Sequence, residues 1–212
     1  MIVYGLKALF EEQKGNIREI RPIWALEELG QKYELVLLDP KTREHKSESF
    51  LKVNPFGKVP AIRDGDFTLF ESAAICTYIG DKFGRLVPAP KTQERASYDQ
   101  WISAIVSNIE PHTVRVFACD YFFDQNEKTA HIREYSVNMS NLFLGIAEGH
   151  LKQNEFMLGR DFSMADIAMT GALHFLKNTK MLEAFPSLTS YLQKNMKRPA
   201  YQKAFALNAP LA

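Results

Sequence analysis

Apolar and polar residues follow two rhythms along this chain, and the change comes near Lys91. Before it the apolar runs are short. Ile2–Gly5 and Tyr33–Leu38 (YELVLL, ended by Asp39-Pro40) predict strands. Between them Pro22–Gly30 (PIWALEELG) carries Trp24, Leu26 and Leu29 at helical spacing, with Gly30 as a natural stop, and predicts a helix. A short helix is expected over Ser47–Lys52. The stretch Asn54–Ser72, NPFGKVPAIRDGDFTLFES, then reads as a loop, a Val-Pro step and a β-hairpin turning at Asp64-Gly65, with Val59, Ala61 and Ile62 outgoing and Phe67–Phe70 returning. Gly57 permits a close approach or an unusual φ, and Pro60 restricts Val59 to an extended conformation. Glu71-Ser72 opens the apolar run Ala73–Ile79, so unpaired helix N–H groups and a hydroxyl lie where an anion is favoured. Phe83-Gly84 closes that helix. The order β-α-β, helix, β-β, α fits a small mixed sheet with helices on its faces.

Beyond Lys91 the strand signals stop. Thr92–Phe123 is a long helical stretch. Ile132, Tyr135, Met139, Leu142 and Ile146, spaced by threes and fours, are expected to form the packing face of another. Ser163-Met164-Ala165-Asp166 is a capping box, with Phe162 and Ile167 at hydrophobic-staple spacing. The helix it opens, Met164–Leu176, is apolar almost all round and is expected at the centre of its domain. Pro186 and Pro199 sit where two terminal helices would begin. The resulting fold class is an α/β N-terminal domain, 1–84, a linker over 85–91 (RLVPAP and Lys91), and an all-α C-terminal domain, 92–212.

Composition narrows the function. Across 212 residues, 46% hydrophobic content is enough for a core, and a formal net charge of +1 leaves no basic surplus to neutralise nucleic-acid phosphates. No apolar run reaches membrane-spanning length, so no membrane partner is expected. Cys76 and Cys119 are the only cysteines and form no CxxC pair, which argues against a disulfide framework or cysteine zinc site. The five histidines show no ligand spacing, so no metal is expected. A reducing, cytoplasmic compartment follows from this set.

The Asn54–Ser72 string, in this order, resembles the glutathione-binding half of cytosolic glutathione transferases. The split into α/β and all-α parts, with Ser163–Asp166 opening a buried helix, is similar to that family over nearly the whole chain. The C-terminal segments FSMADIAM and AFPSLTSYLQKNMKRPAYQKA look like bacterial members, beside phi- and nu-like features. The resemblance implies a thioredoxin-like N-terminal domain, a homodimer, and glutathione as cosubstrate. It also implies attack of the glutathione thiolate on a small hydrophobic electrophile, a detoxification activity. Two alternatives stay open: glutathione-dependent disulfide or peroxide reduction, and a non-catalytic interaction protein that keeps the fold.

The resemblance carries over by position. Val59 looks like the residue before the family's cis-proline, whose backbone pairs with the cysteinyl part of glutathione. Glu71 and Ser72 resemble the pair that receives the γ-glutamyl group, its ammonium on the acid and its carboxylate on the hydroxyl and helix N-terminus. Arg43-Glu44-His45-Lys46 is similar to the GEHK stretch of plant phi-class enzymes, where the His-Lys pair reaches the glycyl carboxylate; Lys58 can serve the same end. The phi- and zeta-class serine falls on Asn16 and the beta-class cysteine on Arg18, so neither familiar nucleophile partner is present. An asparagine N–H can donate to a thiolate but cannot take its proton. Asn16 is therefore the candidate thiolate stabiliser. Tyr4 is a rival by rough position with the alpha- and mu-class tyrosine, and Arg18 is a second rival. Tyr98, Trp101, Ile105, Phe117 and Tyr121 are candidate walls for an electrophile, with core packing as their competing role.

Overall fold

The computed structural model describes residues 1–207. In chain order the elements are β1 Ile2–Leu6, a 3-10 turn Glu11–Gln13, α1 Ile20–Glu28, β2 Glu34–Leu38, α2 Glu48–Leu51, β3 Ala61–Asp64, β4 Phe67–Phe70 and α3 Ser72–Phe83. There follow α4 Gln93–Ala104, a π-helical turn Ile105–Ile109, α5 Glu110–Tyr121, α6 Glu127–Leu151, α7 Met164–His174, α8 Pro186–Met196 and α9 Pro199–Leu207. The described chain divides into two compact units, one of Met1–Val87 with residues 197–207, the other Pro88–Met196.

The first unit is built on a four-stranded sheet in the order β2-β1-β3-β4. β1 and β2 are parallel, as a βαβ crossover through α1 requires, while β3 runs antiparallel to both β1 and β4. Successive strand residues point to opposite faces. Val3 and Gly5 are buried, and a Cβ on Gly5 would lie 2.6 Å from Glu19 Cγ, so this face carries α1. Tyr4, on the other face, packs edge-on against Phe50 of α2 at 5.6 Å. Ser47 caps α2 by accepting from Phe50 N at 3.3 Å, and Gly84, with φ 65°, ends α3.

The last helix, α9, expected from the sequence with the all-α residues, packs chiefly against α1. Trp24 meets Tyr201 edge-on at 5.0 Å. Glu28 accepts from the Trp24 indole N–H at 2.9 Å and from Arg198 Nε and Nη2 at 2.5 and 2.8 Å. Seven of the nine α1 residues, Ile20 to Leu26, are buried as a result.

In the second unit the helical stretch from Thr92 is interrupted. Pro111, in the first turn of α5, has no N–H for the carbonyl of Ser107, and the chain widens to a π turn just before it. The capping box at Ser163 is complete, and α7 is buried on nearly all sides. Asp166 accepts from Met157 N and Ser163 N at 2.8 Å, Ser163 Oγ at 2.9 Å and Tyr191 Oη at 2.7 Å, which ties α7 to α8. Burial pushes this carboxyl up, and the four donors pull against that. Glu148 on α6 accepts from Ser187 N and Leu188 N at 3.1 and 2.9 Å and so caps α8.

Helix α6 turns the opposite way from the sequence expectation. Tyr135, Leu142 and Ile146 of the proposed packing stripe are exposed, at 56, 58 and 61%. The buried side is Thr129, Ser136, Ser140, Leu144, Ala147 and Leu151. Small side chains let α5 and α6 approach closely, so the narrow face packs inward while the bulkier one lies outside this unit's core.

The Glu28 cluster gives a pH prediction. Burial raises the Glu28 carboxyl, but Arg198 and the Trp24 N–H outweigh it and hold the pKa below the ordinary range. A carboxyl depressed in the folded state contributes stability above its unfolded pKa of about 4.3, and that stability is lost as pH falls through the lower folded value. Arg198→Leu should cost about 1–3 kcal/mol at neutral pH. It should also move the onset of acid unfolding to higher pH. Denaturant titrations of both proteins between pH 7 and 3 check this; coincident curves would show that the pair contributes nothing, and parallel offset curves that its contribution is not linked to Glu28 titration.

Candidate functional site

The strand register brings three chain segments to one end of the sheet's strands. Ala61, at the start of β3, pairs with Tyr4 on one side and Phe70 on the other. The residues just before Ala61 therefore lie beside those just after Phe70 and beside the end of β1. These are Val59-Pro60, Glu71-Ser72 and the loop that leaves β1, and the contact of Arg21 with Ser72 brings the start of α1 to the same place. The Val59-Pro60 peptide is cis, as the resemblance implied.

The start of α3 is arranged for an anion. Ile75 N bonds back to Glu71 O at 2.9 Å and is the first rung of the helical ladder, which leaves the amides of Ser72, Ala73 and Ala74 ahead of it. Glu71, exposed, adopts φ 70° and ψ 113°. A non-glycine residue at positive φ costs on the order of 1–3 kcal/mol and is typical of ligand clamps. Ser72 is buried, and its Oγ accepts from Arg21 Nη1 at 3.2 Å. Arg21 itself is 2% exposed on α1. Nothing in its spacing marks it out, except a charge immediately before Pro22 in the apolar first part of the helix.

The loop 54–58 is organised by a second residue that spacing did not single out. Asn54, buried, donates from Nδ2 to Lys58 O at 2.7 Å and accepts from Phe56 N at 3.0 Å. This is the Asx-turn behaviour that the Asn-Pro pair could have signalled. Lys46 donates from Nζ to Phe56 O at 3.0 Å. Its chain crosses Gly57 so closely that a Cβ there would lie 2.8 Å from Lys46 Cδ and 2.7 Å from His45 O. His45, Lys46 and the Phe56–Lys58 loop are thus packed together. Burial, with help from Lys46 and Arg43, lowers the His45 pKa, and its buried Nδ1 has no hydrogen-bond partner among the described residues. The positive charge here belongs to Lys46, and exposed Lys58 adds to it.

The three candidate thiolate donors are placed differently. Asn16 is buried and donates from Nδ2 to Glu12 O at 2.9 Å, which fixes the amide within its own loop. Arg18 is half-buried in the turn before α1, its carbonyl accepting from Arg21 N at 3.2 Å. Tyr4 packs on Phe50, on the sheet face opposite the one that meets Glu19. Both cysteines are buried; burial pushes the Cys76 thiol up to about 12 and raises that of Cys119, so neither is set up as a nucleophile. In the second unit Tyr98 and Ile105 are fully buried and belong to its core, while Tyr121 is exposed.

Comparison with known proteins agrees with this geometry. Residues 13–81 match the family described as Glutathione S-transferase, N-terminal domain, and residues 113–204 match Glutathione S-transferase, C-terminal domain. Glutathione S-transferase 1 of Zea mays is 32% identical, over 89% of this chain and 91% of its own. The glutathione transferase URE2P6 from Phanerochaete chrysosporium, solved with oxidized glutathione, has a TM-score of 0.83 at 28% identity, covering 98% of this chain and 95% of that one. A family member from Pseudomonas fluorescens pf-5, solved with two glutathione bound, has a TM-score of 0.83 at 28% identity, covering 96% and 92%. The chain belongs to the glutathione S-transferase family. Its first unit is the thioredoxin-like domain and its second the helical one.

Gly57 offers a test of the loop that needs no ligand. With φ 56° and Lys46 and His45 O under 3 Å from a built Cβ, Gly57→Ala should destabilise the protein by about 1–2 kcal/mol for the left-handed backbone, plus about 1–3 kcal/mol for the collision. Gly30→Ala, also at positive φ (65°) but in open space, should show the backbone cost alone. Equal losses in denaturant unfolding would mean that the Lys46 crossing is not tight.

Proposed function

We propose that this protein is a glutathione transferase that joins the thiolate of glutathione to a small hydrophobic electrophile. The observation that carries the reading is the α3 start: three unladdered amides, the Ser72 hydroxyl and the Glu71 carboxylate lie beside a cis Val59-Pro60 step. Donors on one side and a carboxylate on the other suit an α-amino acid head group, here the γ-glutamyl end of glutathione. The backbone of Val59 pairs with the cysteinyl residue. At the far end Lys46 and Lys58 supply charge for the glycyl carboxylate, while His45, its pKa lowered, offers a neutral hydrogen bond at physiological pH.

Catalysis in this reading is the lowering of a thiol pKa followed by positioning. Asn16 is the proposed donor to the sulfur. Its amide carries two N–H groups, so it either shares them between Glu12 O and the thiolate or turns out of its loop when glutathione binds. The buried, high-pKa cysteines weigh against a route through a mixed disulfide with the protein. A homodimer is part of the proposal, supported by the exposed apolar stripe Tyr135, Leu142 and Ile146. A cytoplasmic setting is supported by two unpaired cysteines. No helix among the described residues is long and apolar enough to cross a membrane.

Two measurements test the reading. In calorimetric titration with reduced glutathione, Ser72→Ala should bind about 1.5–3 kcal/mol more weakly, the worth of a hydrogen bond to a charged group. Unchanged affinity would remove Ser72 from the site. Thiolate absorbance against pH should show the pKa of bound glutathione rising by roughly one to two units in Asn16→Ala and not in Tyr4→Phe. The reverse pattern would give the role to Tyr4. No change in either would point to Arg18 or to backbone amides of the Leu6–Gly15 loop.

A further inference from the structure

The contact between Arg21 and Ser72 has a direction. A guanidinium holds five N–H donors and no acceptor, and it stays protonated, so Arg21 Nη1 can only donate to Ser72 Oγ. The hydroxyl oxygen has two lone pairs and a single hydrogen, and Arg21 occupies one lone pair. The hydrogen is thereby excluded from the side of Ser72 that faces α1. A serine inside a helix would turn that hydrogen onto the carbonyl three or four residues back. Ser72 is the first residue of α3, and the residues at those positions, Thr68 and Leu69, belong to β4, so no helical turn precedes it. What remains is the open end of the helix, where the amides of Ser72, Ala73 and Ala74 also lie ahead of the ladder. Donation from a buried cation also polarises the O–H it leaves behind, making it a stronger donor.

Resting on the glutathione reading above, we infer that Arg21 is a positioning residue: it fixes the Ser72 hydroxyl as a donor toward the γ-glutamyl carboxylate of glutathione. Arg21 does not touch the ligand. Its effect is on selectivity. With the hydroxyl locked as a donor, the start of α3 presents donors only and accepts a carboxylate, while a ligand lacking that carboxylate leaves the Ser72 O–H without its acceptor. Were Arg21 absent, the hydroxyl could rotate, and the site would hold acids and their uncharged analogues more nearly alike.

The experiment compares reduced glutathione with the analogue that lacks only the γ-glutamyl α-carboxylate, 4-aminobutanoyl-cysteinylglycine, by calorimetry. The proteins are wild type, Arg21→Met, Ser72→Ala and the double variant. Wild type should prefer glutathione by about ten- to a hundredfold. Arg21→Met should reduce that preference to the level of Ser72→Ala while changing affinity for the analogue little. Adding Arg21→Met to Ser72→Ala should leave the preference where it was, because both act through one hydrogen atom. A preference kept in Arg21→Met, or losses that multiply in the double variant, would overturn the inference. Failure of wild type to bind glutathione at all would instead overturn the underlying functional reading. Should Arg21→Met not fold, neutron diffraction of the deuterated wild-type complex reads the same atom. The Ser72 deuterium is expected on the line to the ligand carboxylate, and finding it on a protein carbonyl would refute the inference.

Discussion

The pairing of Ala61 with Tyr4 and Phe70 is the constraint on which the candidate site depends. A strand slipped by one residue turns every side chain to the other face, so a buried strand has its register strongly specified. Ala61 and Ile62 are both fully buried, and each has a partner on either side. With that register held, the segment before β3 and the segment after β4 must emerge side by side. The cis Val59-Pro60 step and the strained Glu71 are then neighbours by geometry, although the ten residues Ala61–Phe70 separate them in the chain. No loop has to be ordered separately to bring them together.

The same unit holds charges that would be costly if they were not fixed. Glu19 and Arg21 are both almost fully buried at the start of α1. A buried charge is tolerated where hydrogen bonds satisfy it, and truncating one partner costs more than the pair contributes. Gly5 is part of this arrangement, since a Cβ there would strike Glu19. The helical unit handles its buried acids differently. Asp166 and Glu148 each accept from backbone N–H groups at a helix start, where the peptide dipoles favour negative charge. Those acids organise helix ends and are buried, whereas the acid at the start of α3, Glu71, is exposed.

Local chemistry made much of this legible from sequence. The hairpin at Asp64-Gly65, the Ser163 box, and the helix starts at Pro186 and Pro199 are each set by a few adjacent residues, and all appear. What could not be read is whatever depends on a distant partner. Periodicity identified α6 as a helix, yet its inward face is the small-residue one, because how closely α5 approaches is a property of two helices. Trp24 read as apolar, but its indole N–H on Glu28, and Arg198 on the same carboxylate, required α9 to pack there. Arg21 looked like one more charge at a helix start. Only the fold puts its guanidinium on Ser72, fifty-one residues away.

The position that departs from the family pattern also has a physical reading. A serine or cysteine at the thiol site can exchange a proton with its surroundings, whereas Asn16, in the role proposed for it, would offer only N–H donors. A protein using asparagine therefore needs the thiol proton to leave by another path. Where the amide keeps Glu12 O and shares its N–H groups with the sulfur, its advantage would lie in a preset field that costs little to reorganise when the sulfur becomes charged. In the proposed reading the basic groups around Lys46 and Arg21 would act in the same sense at longer range, Lys46 through the ligand's far carboxylate and Arg21 through Ser72. On this view thiolate formation here is driven by placement of positive charge and donors around the whole peptide, and the group nearest the sulfur supplies only part of it.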